Sequence, residues 1–231
     1  MKIVNLDKLK NMLHNRTGRL NLSDIILENC DLRNYDLSNI DFSNSNFINV
    51  RLDNVNFSNS SLKNCLLDDC SLKNANFKNS NLQTASLRRA DLEGANISGA
   101  NLYGAILENA NLKNIKFDNM TKNFTLHCPE EGAFIAYKKC INNLIVKLLI
   151  PGDAKRVSST MNCCRCDKAK VLEIKSFDGT KHYDEAWSTV DNDFCYKLGE
   201  WAFAKNFNED RWYDSTGGIH FWMSEEEAKA Y

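Results

Sequence analysis

Residues 163 to 166 carry groups that bind metals or act as nucleophiles. Cys163, Cys164 and Cys166 surround Arg165, and Cys163 with Cys166 has the C-x-x-C spacing that supplies half of a structural zinc site. No second C-x-x-C and no close pair of histidines follows. The remaining ligands would have to come from Cys128, Cys140, Cys195 or His220. We therefore favour reduced thiols over a metal site, and we expect no metal.

A cysteine activated by a histidine is the second chemistry to consider. The C-terminal half holds six cysteines together with His127, His182 and His220. A thiol nucleophile needs a base within hydrogen-bonding reach, and the spacing of these residues does not fix that geometry. Ordinary buried thiols remain the favoured interpretation.

A third possibility lies near the C-terminus. Gly217-Gly218-Ile219-His220-Phe221, followed by Ala228 and Tyr231, resembles the strand and helix with which ADP-ribosyltransferases hold nicotinamide. The resemblance implies a nicotinamide cleft around His220. It also implies that the Arg, Ser/Thr and Glu of that chemistry are Arg156, Ser158-Ser159-Thr160, and Glu225 or Glu227. The alternative is an edge strand followed by an ordinary capped helix.

The candidate binding residues are Arg156, Arg165, Arg211, Trp212 and His220. Their convergence in a cleft would favour chemistry, and their dispersal would favour a binding module. Trp212 follows the polar stretch Asn208-Glu209-Asp210-Arg211 and is predicted to be a surface anchor. The other aromatic residues of this region are predicted to form a core, namely Trp201, Phe203, Phe207, Tyr213, Phe221 and Trp222.

The elements that position these residues follow from a repeat in the N-terminal half. A large apolar residue recurs every five positions, at Leu22, Leu27, Leu32, Leu37, Phe42, Phe47, Leu52, Phe57, Leu62, Leu67, Leu72, Phe77, Leu82, Leu87, Leu92, Ile97, Leu102, Leu107, Leu112 and Phe117. A period of five matches neither a helix nor a flat strand, so the chain must turn a corner every five residues to bury this column. A second column of small or apolar residues, two positions earlier, would fill the rest of a narrow core.

The corners are marked by a third column, two positions after each large apolar residue. Its nineteen positions from Asn29 to Asn119 hold thirteen Asn and three Gly, residues that accept the backbone of a tight turn. Stretches such as Ala90-Asp91-Leu92-Glu93-Gly94 resemble the A(D/N)Lxx unit of the pentapeptide-repeat family. The resemblance implies a mainly β protein whose repeats form a right-handed quadrilateral β-helix. Four repeats per coil would give about five coils.

We expect three segments. Residues 1–21 are an N-terminal cap, residues 22–119 are the β-helix, and residues 120–231 are a mixed α+β domain. Asp7 is predicted to cap a short helix that carries Leu9, Met12 and Leu13. In the last segment the predicted strands are Ala133 to Cys140, Leu144 to Ile150, Arg156 to Thr160, Lys170 to Ile174, Phe194 to Phe203 and Ile219 to Met223.

Two further signals are local. Asn142-Asn143 is predicted to turn a hairpin, and Ser224 with Glu227 is predicted to open a last helix.

Residues 120–231 also resemble a domain of unknown function. The resemblance lies in the stretches Cys128-Pro129-Glu130-Glu131-Gly132, Ile150-Pro151 and Gly218-Ile219-His220-Phe221. That domain is found behind pentapeptide repeats in bacterial and phage proteins.

Composition narrows the class of function. Lys and Arg number 29 against 30 Asp and Glu, a balance that argues against a nucleic-acid or anionic-membrane partner. The sequence contains no apolar run long enough to span a bilayer, and its nine cysteines do not suggest a disulfide framework. We expect a cytoplasmic protein. No Gly-rich phosphate loop is present, and we expect no cofactor.

Three functions remain open. The favoured one is a non-enzymatic scaffold or interaction module, with the β-helix as a rigid spacer and the C-terminal domain contacting a protein partner. The second is an ADP-ribosyltransferase-like enzyme in that domain. The third is DNA mimicry, because some pentapeptide-repeat proteins modulate type II topoisomerases with an acidic rod. Residues 20 to 119 hold twelve acidic and nine basic side chains, a difference of only -3, which argues against mimicry.

Overall fold

The structure is a computed structural model that describes residues 1–213 and 216–231. The chain forms two compact units, Met1–Thr125 and Leu126–Tyr231. The boundary expected from the sequence, between residues 119 and 120, falls a few residues before this division. The two units are described separately.

The first unit is built from short parallel strands and single bridges. Its strands are β1 (Lys2–Ile3), β2 (Leu20–Asn21), β3 (Ile25–Glu28), β4 (Ile40–Asp41) and β5 (Asn46–Ile48). β2 pairs with β4 and β3 pairs with β5, each time between residues twenty positions apart. Bridges with the same spacing continue from Asp31 with Arg51 to Asn96 with Lys116. The chain therefore stacks on itself every four pentapeptides, in a mainly β arrangement of the β-helix type.

The large apolar column forms the core of this unit. It is buried from Leu22 to Leu107, and each buried Leu or Phe contributes on the order of 1.5 to 3 kcal/mol. Phe57 and Phe77 stack with ring centroids 5.4 Å apart. Phe117, by contrast, is 49% exposed. It belongs to the last layer, which no complete layer of this unit covers, so the expectation that the whole column is buried is wrong at its end.

The corner column adopts the predicted backbone. Asn residues from Asn29 onward have φ between 50° and 65°, and Gly94, Gly99 and Gly104 have φ near 70°. The pattern continues to Asn114, after which Asn123 takes the next left-handed turn instead of Asn119. The prediction that this column forms the corners is confirmed except at its last position.

A helix precedes the repeats. α1 spans Leu6–His14 and buries Leu9 completely. Its N-cap is Asn5, whose side chain accepts a hydrogen bond of 2.9 Å from the backbone of Lys8. The prediction that Asp7 caps the helix is wrong, because the extended backbone of Asn5 starts the helix two residues earlier and Asp7 lies in the first turn.

The second unit contains three antiparallel sheets. Its strands are β6 (Phe134–Cys140), β7 (Leu144–Ile150), β8 (Arg156–Ser158), β9 (Cys164–Cys166), β10 (Lys168–Ser176), β11 (Glu185–Trp187), β12 (Cys195–Lys197), β13 (Trp201–Phe203) and β14 (Ile219–Phe221). The largest sheet has the order β13-β10-β7-β6, and a smaller one has the order β14-β9-β8. β11 and β12 form a separate pair. Apolar side chains from all three sheets form one continuous core.

Most predicted strands of this unit are present, with two differences. The stretch from Phe194 to Phe203 is not one strand, because Gly199 turns the chain with φ 77° between β12 and β13. Strands β9 and β11 were not predicted. The turn at Asn142 and Asn143 is confirmed, with φ of 58° and 53°. The predicted last helix is also confirmed. It is α2 (Glu225–Ala230), and Ser224 and Glu227 form a capping box at its start.

Candidate ligand cavity in the C-terminal unit

Arg156 holds the turn that follows β7. Its guanidinium donates hydrogen bonds to the carbonyl oxygens of Gly132 at 2.7 Å and of Pro151 and Gly152 at 2.8 Å. The guanidinium also lies 5.3 Å from the centre of the Phe134 ring. The Arg156 guanidinium therefore donates to main-chain acceptors within its own unit.

Arg165 is buried on the central strand of the β14-β9-β8 sheet and binds main-chain oxygens of residues outside the sheet. It donates to four carbonyl oxygens, those of Tyr213 at 2.8 Å, Asn208 and Asp210 at 3.1 Å, and Gly217 at 3.2 Å. A buried guanidinium that satisfies these four carbonyls links their residues to β9.

Arg211 makes contacts of the same kind. Its guanidinium donates to the carbonyl oxygens of Ser158 at 2.9 Å and Ser159 at 3.3 Å. It also lies 4.4 Å from the centre of the Trp212 ring, and burial lowers the pKa of Arg211. All three candidate arginines therefore bind main-chain oxygens of different loops.

The glutamates suggested by the ADP-ribosyltransferase resemblance are also engaged. Glu225 pairs with Lys175 at 2.9 Å and with Lys229 at 2.7 Å. Glu227 completes the cap of α2 and accepts from the Asn162 amide at 2.9 Å. The candidate arginines and the candidate glutamates thus bind different partners, and these contacts stabilise the fold.

His220 is the candidate that lies beside a cavity. Its Nδ1 is 3.4 Å from Cys163 Sγ, and its Nε2 is 3.0 Å from the carbonyl oxygen of Thr216. A carbonyl only accepts, so we assign the ring proton to Nε2 and the acceptor role to Nδ1. Of the cysteine and histidine pairs that the sequence left open, the structure brings this one into contact.

The C-x-x-C pair is separated in the core. Cys166 is fully buried in the main apolar core, whereas Cys163 packs against a second cluster that contains Trp222. Burial raises the pKa of Cys166. Within residues 1–213 and 216–231, no group of three or more His, Cys, Asp or Glu side chains is placed to hold a metal ion.

A cavity of about 410 Å³ opens between the sheets of this unit. Its walls include the aromatic rings of Phe194, Trp222 and Tyr231. Two buried polar residues also line it, Lys138 at 3% exposure and Tyr196 at 2%. A cavity of this volume, lined by both aromatic rings and polar side chains, is typical of small-molecule sites.

Sequence analysis missed Lys138. It lies in β6, opposite Val146 of β7, on the same face as Ala136 and Cys140. Alternation along Phe134–Cys140 would have revealed the position, since a lysine there falls on the apolar face of a strand. Burial lowers the pKa of the Lys138 ammonium. Among the described residues, none lies within hydrogen-bonding or ion-pairing distance of its nitrogen.

A different surface of the unit carries exposed aromatic side chains. Trp201 is 46% exposed and Phe203 is 61% exposed, so the prediction that both belong to the core is wrong. The reason is that β13 is an edge strand whose inward residue is Ala202. Trp222, at 5% exposure, is buried as predicted.

The two units thus define a pentapeptide-repeat solenoid followed by a β-rich domain, and comparison with known families agrees. Residues 20–97 match the family described as "Pentapeptide repeat region", and residues 85–119 match the family described as "Pentapeptide repeats (8 copies)". "Family of unknown function (DUF5758)" matches residues 124–228. The chain carries pentapeptide repeats with a DUF5758 domain C-terminal to them. No curated protein sequence compared with the chain matches it.

Solved structures similar to this chain cover about half of it. A pentapeptide repeat protein (Rfr23) from the cyanobacterium Cyanothece 51142 is 26% identical, covering 50% of this chain and 96% of its own, with a TM-score of 0.27. One from the Arabidopsis thaliana thylakoid lumen is 20% identical, covering 44% and 68%, with a TM-score of 0.37. Full-length QnrB1, a plasmid-mediated fluoroquinolone resistance protein, is 18% identical, covering 49% and 67%, with a TM-score of 0.31.

The helices of the chain are short. In the part of the chain that the structure describes, none combines the length and apolar character needed to cross a bilayer.

Proposed function

We propose that this protein is a non-catalytic interaction module whose solenoid is a rigid spacer and whose C-terminal unit binds a protein partner. In this proposal the solenoid is a right-handed quadrilateral β-helix of about five coils, closed at its N-terminal end by α1. The observation that carries the proposal is the exposed aromatic pair on β13.

Trp201 and Phe203 project from the same face of the edge strand, with ring centroids 6.5 Å apart. Leu172, on the neighbouring strand β10, is 40% exposed. The Lys170 ammonium lies 5.8 Å from the centre of the Trp201 ring. A cluster of exposed aromatic and aliphatic side chains with a basic edge is typical of a protein-binding surface, because large rings carry much of the energy of interfaces.

Stacked side chains support the spacer role. Asn64 donates to Asn44 at 3.0 Å, and Asn76 donates to Asn56 at 2.9 Å, each across one layer. Together with the backbone bridges they bind every layer to the next. A spacer needs this resistance to bending.

The alternative functions have less support. The enzyme hypothesis needs Arg156 and a glutamate turned toward one cleft, and these side chains bind main-chain and lysine partners instead. DNA mimicry needs free acidic side chains along the rod. Several of the rod's acidic groups are paired with cations, including Asp69 with Arg89 at 2.7 Å and Asp91 with Lys73 at 3.1 Å.

The test is a quantitative pull-down with the full-length protein. The wild-type protein should recover a partner from cell extract. We expect the Phe203→Ser and Trp201→Ser variants each to recover at least tenfold less of that partner. Leu66→Ser is the matched control, because Leu66 is a similarly exposed apolar residue, at 45%, on the solenoid. Equal recovery by all three variants would contradict the proposed surface, and so would loss of the partner in the Leu66 variant alone.

A further inference from the structure

The cavity of the C-terminal unit presents two buried hydrogen-bond donors. Lys138 and Tyr196 both line it. Within residues 1–213 and 216–231, no side chain or main-chain group forms a hydrogen bond with the Lys138 ammonium or the Tyr196 hydroxyl. Both residues line the cavity, so donors that have no acceptor among these residues are available to a ligand bound there.

The protonation of these groups follows from their surroundings. Burial raises the pKa of Tyr196 well above its usual value, so the phenol keeps its proton and donates. Burial lowers the pKa of Lys138. A bound anion would favour the charged ammonium and restore its ordinary protonation.

The other charges around the cavity leave room for an anion. Lys205 is exposed at the edge of the cavity, and Asp191 is the carboxylate that lines it among the described residues. Asp191 already accepts a hydrogen bond from the backbone of Asp193 at 3.0 Å. Among the described side chains of the lining, two are lysines and one is a carboxylate that is already engaged.

The walls indicate the shape of the ligand. The rings of Trp222 and Tyr231 lie 4.6 Å apart, and those of Phe194 and Tyr196 lie 5.0 Å apart. Aromatic rings that line a cavity beside polar donors suit a ligand with a flat apolar body.

We propose that this cavity binds a small carboxylate with a flat apolar body, whose oxygens accept hydrogen bonds from Lys138 and Tyr196. Lys138 also supplies a positive charge opposite to the negative charge of the carboxylate. The site is separate from the exposed aromatic pair on β13, and it does not depend on the function proposed for that surface.

Calorimetric titration of the full-length protein with benzoate tests the proposal, with benzamide as a neutral probe of the same shape. We expect benzoate to bind the wild-type protein at least tenfold more tightly than it binds Lys138→Met. Tyr196→Phe should weaken benzoate several-fold, and Lys138→Met should change the affinity for neutral benzamide far less than the affinity for benzoate. Lys147→Met is the control, because it removes the same charge from the opposite face of β7.

A second measurement needs no variant. Lys138 should react with an acylating reagent more slowly in the presence of benzoate than of benzamide, as measured by peptide mass spectrometry. The proposal is overturned if the wild-type protein does not bind benzoate at millimolar concentration, or if it binds benzamide equally well. Unchanged benzoate affinity in folded Lys138→Met would also overturn it.

Discussion

The hydroxyl of Ser60 donates a hydrogen bond of 2.8 Å to the carbonyl oxygen of Leu37 in the layer below. The same hydroxyl accepts from the backbone of Ile40 at 3.0 Å. Ser45 repeats this bond with Leu22 at 3.0 Å. Ser80 occupies the same column, but its buried hydroxyl has no hydrogen-bond partner in the described residues.

Ser60→Ala and Ser80→Ala should therefore change stability in opposite directions. Removing the Ser60 hydroxyl leaves main-chain groups unsatisfied and should cost about 1 kcal/mol, whereas removing the Ser80 hydroxyl should be neutral or stabilise by up to about 1 kcal/mol. Urea unfolding followed by far-ultraviolet circular dichroism measures both. All four tryptophans lie after residue 186, so their fluorescence separates unfolding of the C-terminal unit. Equal destabilisation by both variants would show that the two hydroxyls do not differ.

Gly99→Ala should destabilise the solenoid. Gly99 has φ +69°, and an added Cβ would lie 2.2 Å from Asn79 Oδ1, so both the backbone and the neighbouring side chain must adjust. We expect a loss of roughly 1 to 2 kcal/mol in the same unfolding experiment. Gly18→Ala is the control, since nothing lies within 4 Å of its added Cβ. If the two variants unfold at the same urea concentration, the corner is not strained.

The solenoid could be predicted in detail because its signals are local. A left-handed corner favours Asn or Gly at a fixed position, and the large inward side chains are apolar, so one period of five describes both. The end of the repeat was harder to predict. Phe117 satisfies the pattern, but its burial depends on whether another layer follows.

The candidate site was less predictable, since its geometry depends on contacts far apart in sequence. Arg165 looked like a binding residue, yet its partners are loop carbonyls more than forty positions away. Trp201 and Phe203 were assigned to the core because aromatic residues usually lie there, and sequence does not show that β13 is an edge. Lys138 could have been found from strand alternation alone.

Arg165→Met should destabilise the C-terminal unit strongly. The substitution removes the buried guanidinium that donates to four carbonyl oxygens. We expect a loss of about 3 kcal/mol or more, measured by urea unfolding with tryptophan fluorescence. Lys155→Met is the control in the same unit, because it removes an exposed ion pair with Glu209 and should leave the midpoint unchanged. A small effect of Arg165→Met would mean that water can replace the guanidinium.

Lys138→Met should stabilise the C-terminal unit at neutral pH, and the advantage should shrink as pH rises. Burial lowers the folded-state pKa of Lys138 below its ordinary value of 10.5. Below the folded pKa both states are protonated, and the folded state carries the cost of a buried charge. Between the lowered pKa and 10.5 the unfolded chain binds more protons, so the wild-type protein gains stability with increasing pH.

The measurement is the difference in unfolding free energy between wild type and Lys138→Met from pH 6 to pH 10, followed by tryptophan fluorescence. Each unit by which the pKa is lowered corresponds to about 1.4 kcal/mol of this difference. Burial raises the pKa of Cys140 to about 12, so its thiol stays neutral in the folded state. Ionisation of thiols in the unfolded chain is common to both proteins and cancels. Lys147→Met should show no such slope. If the stability advantage of Lys138→Met does not shrink as pH rises, the Lys138 ammonium is hydrated rather than buried.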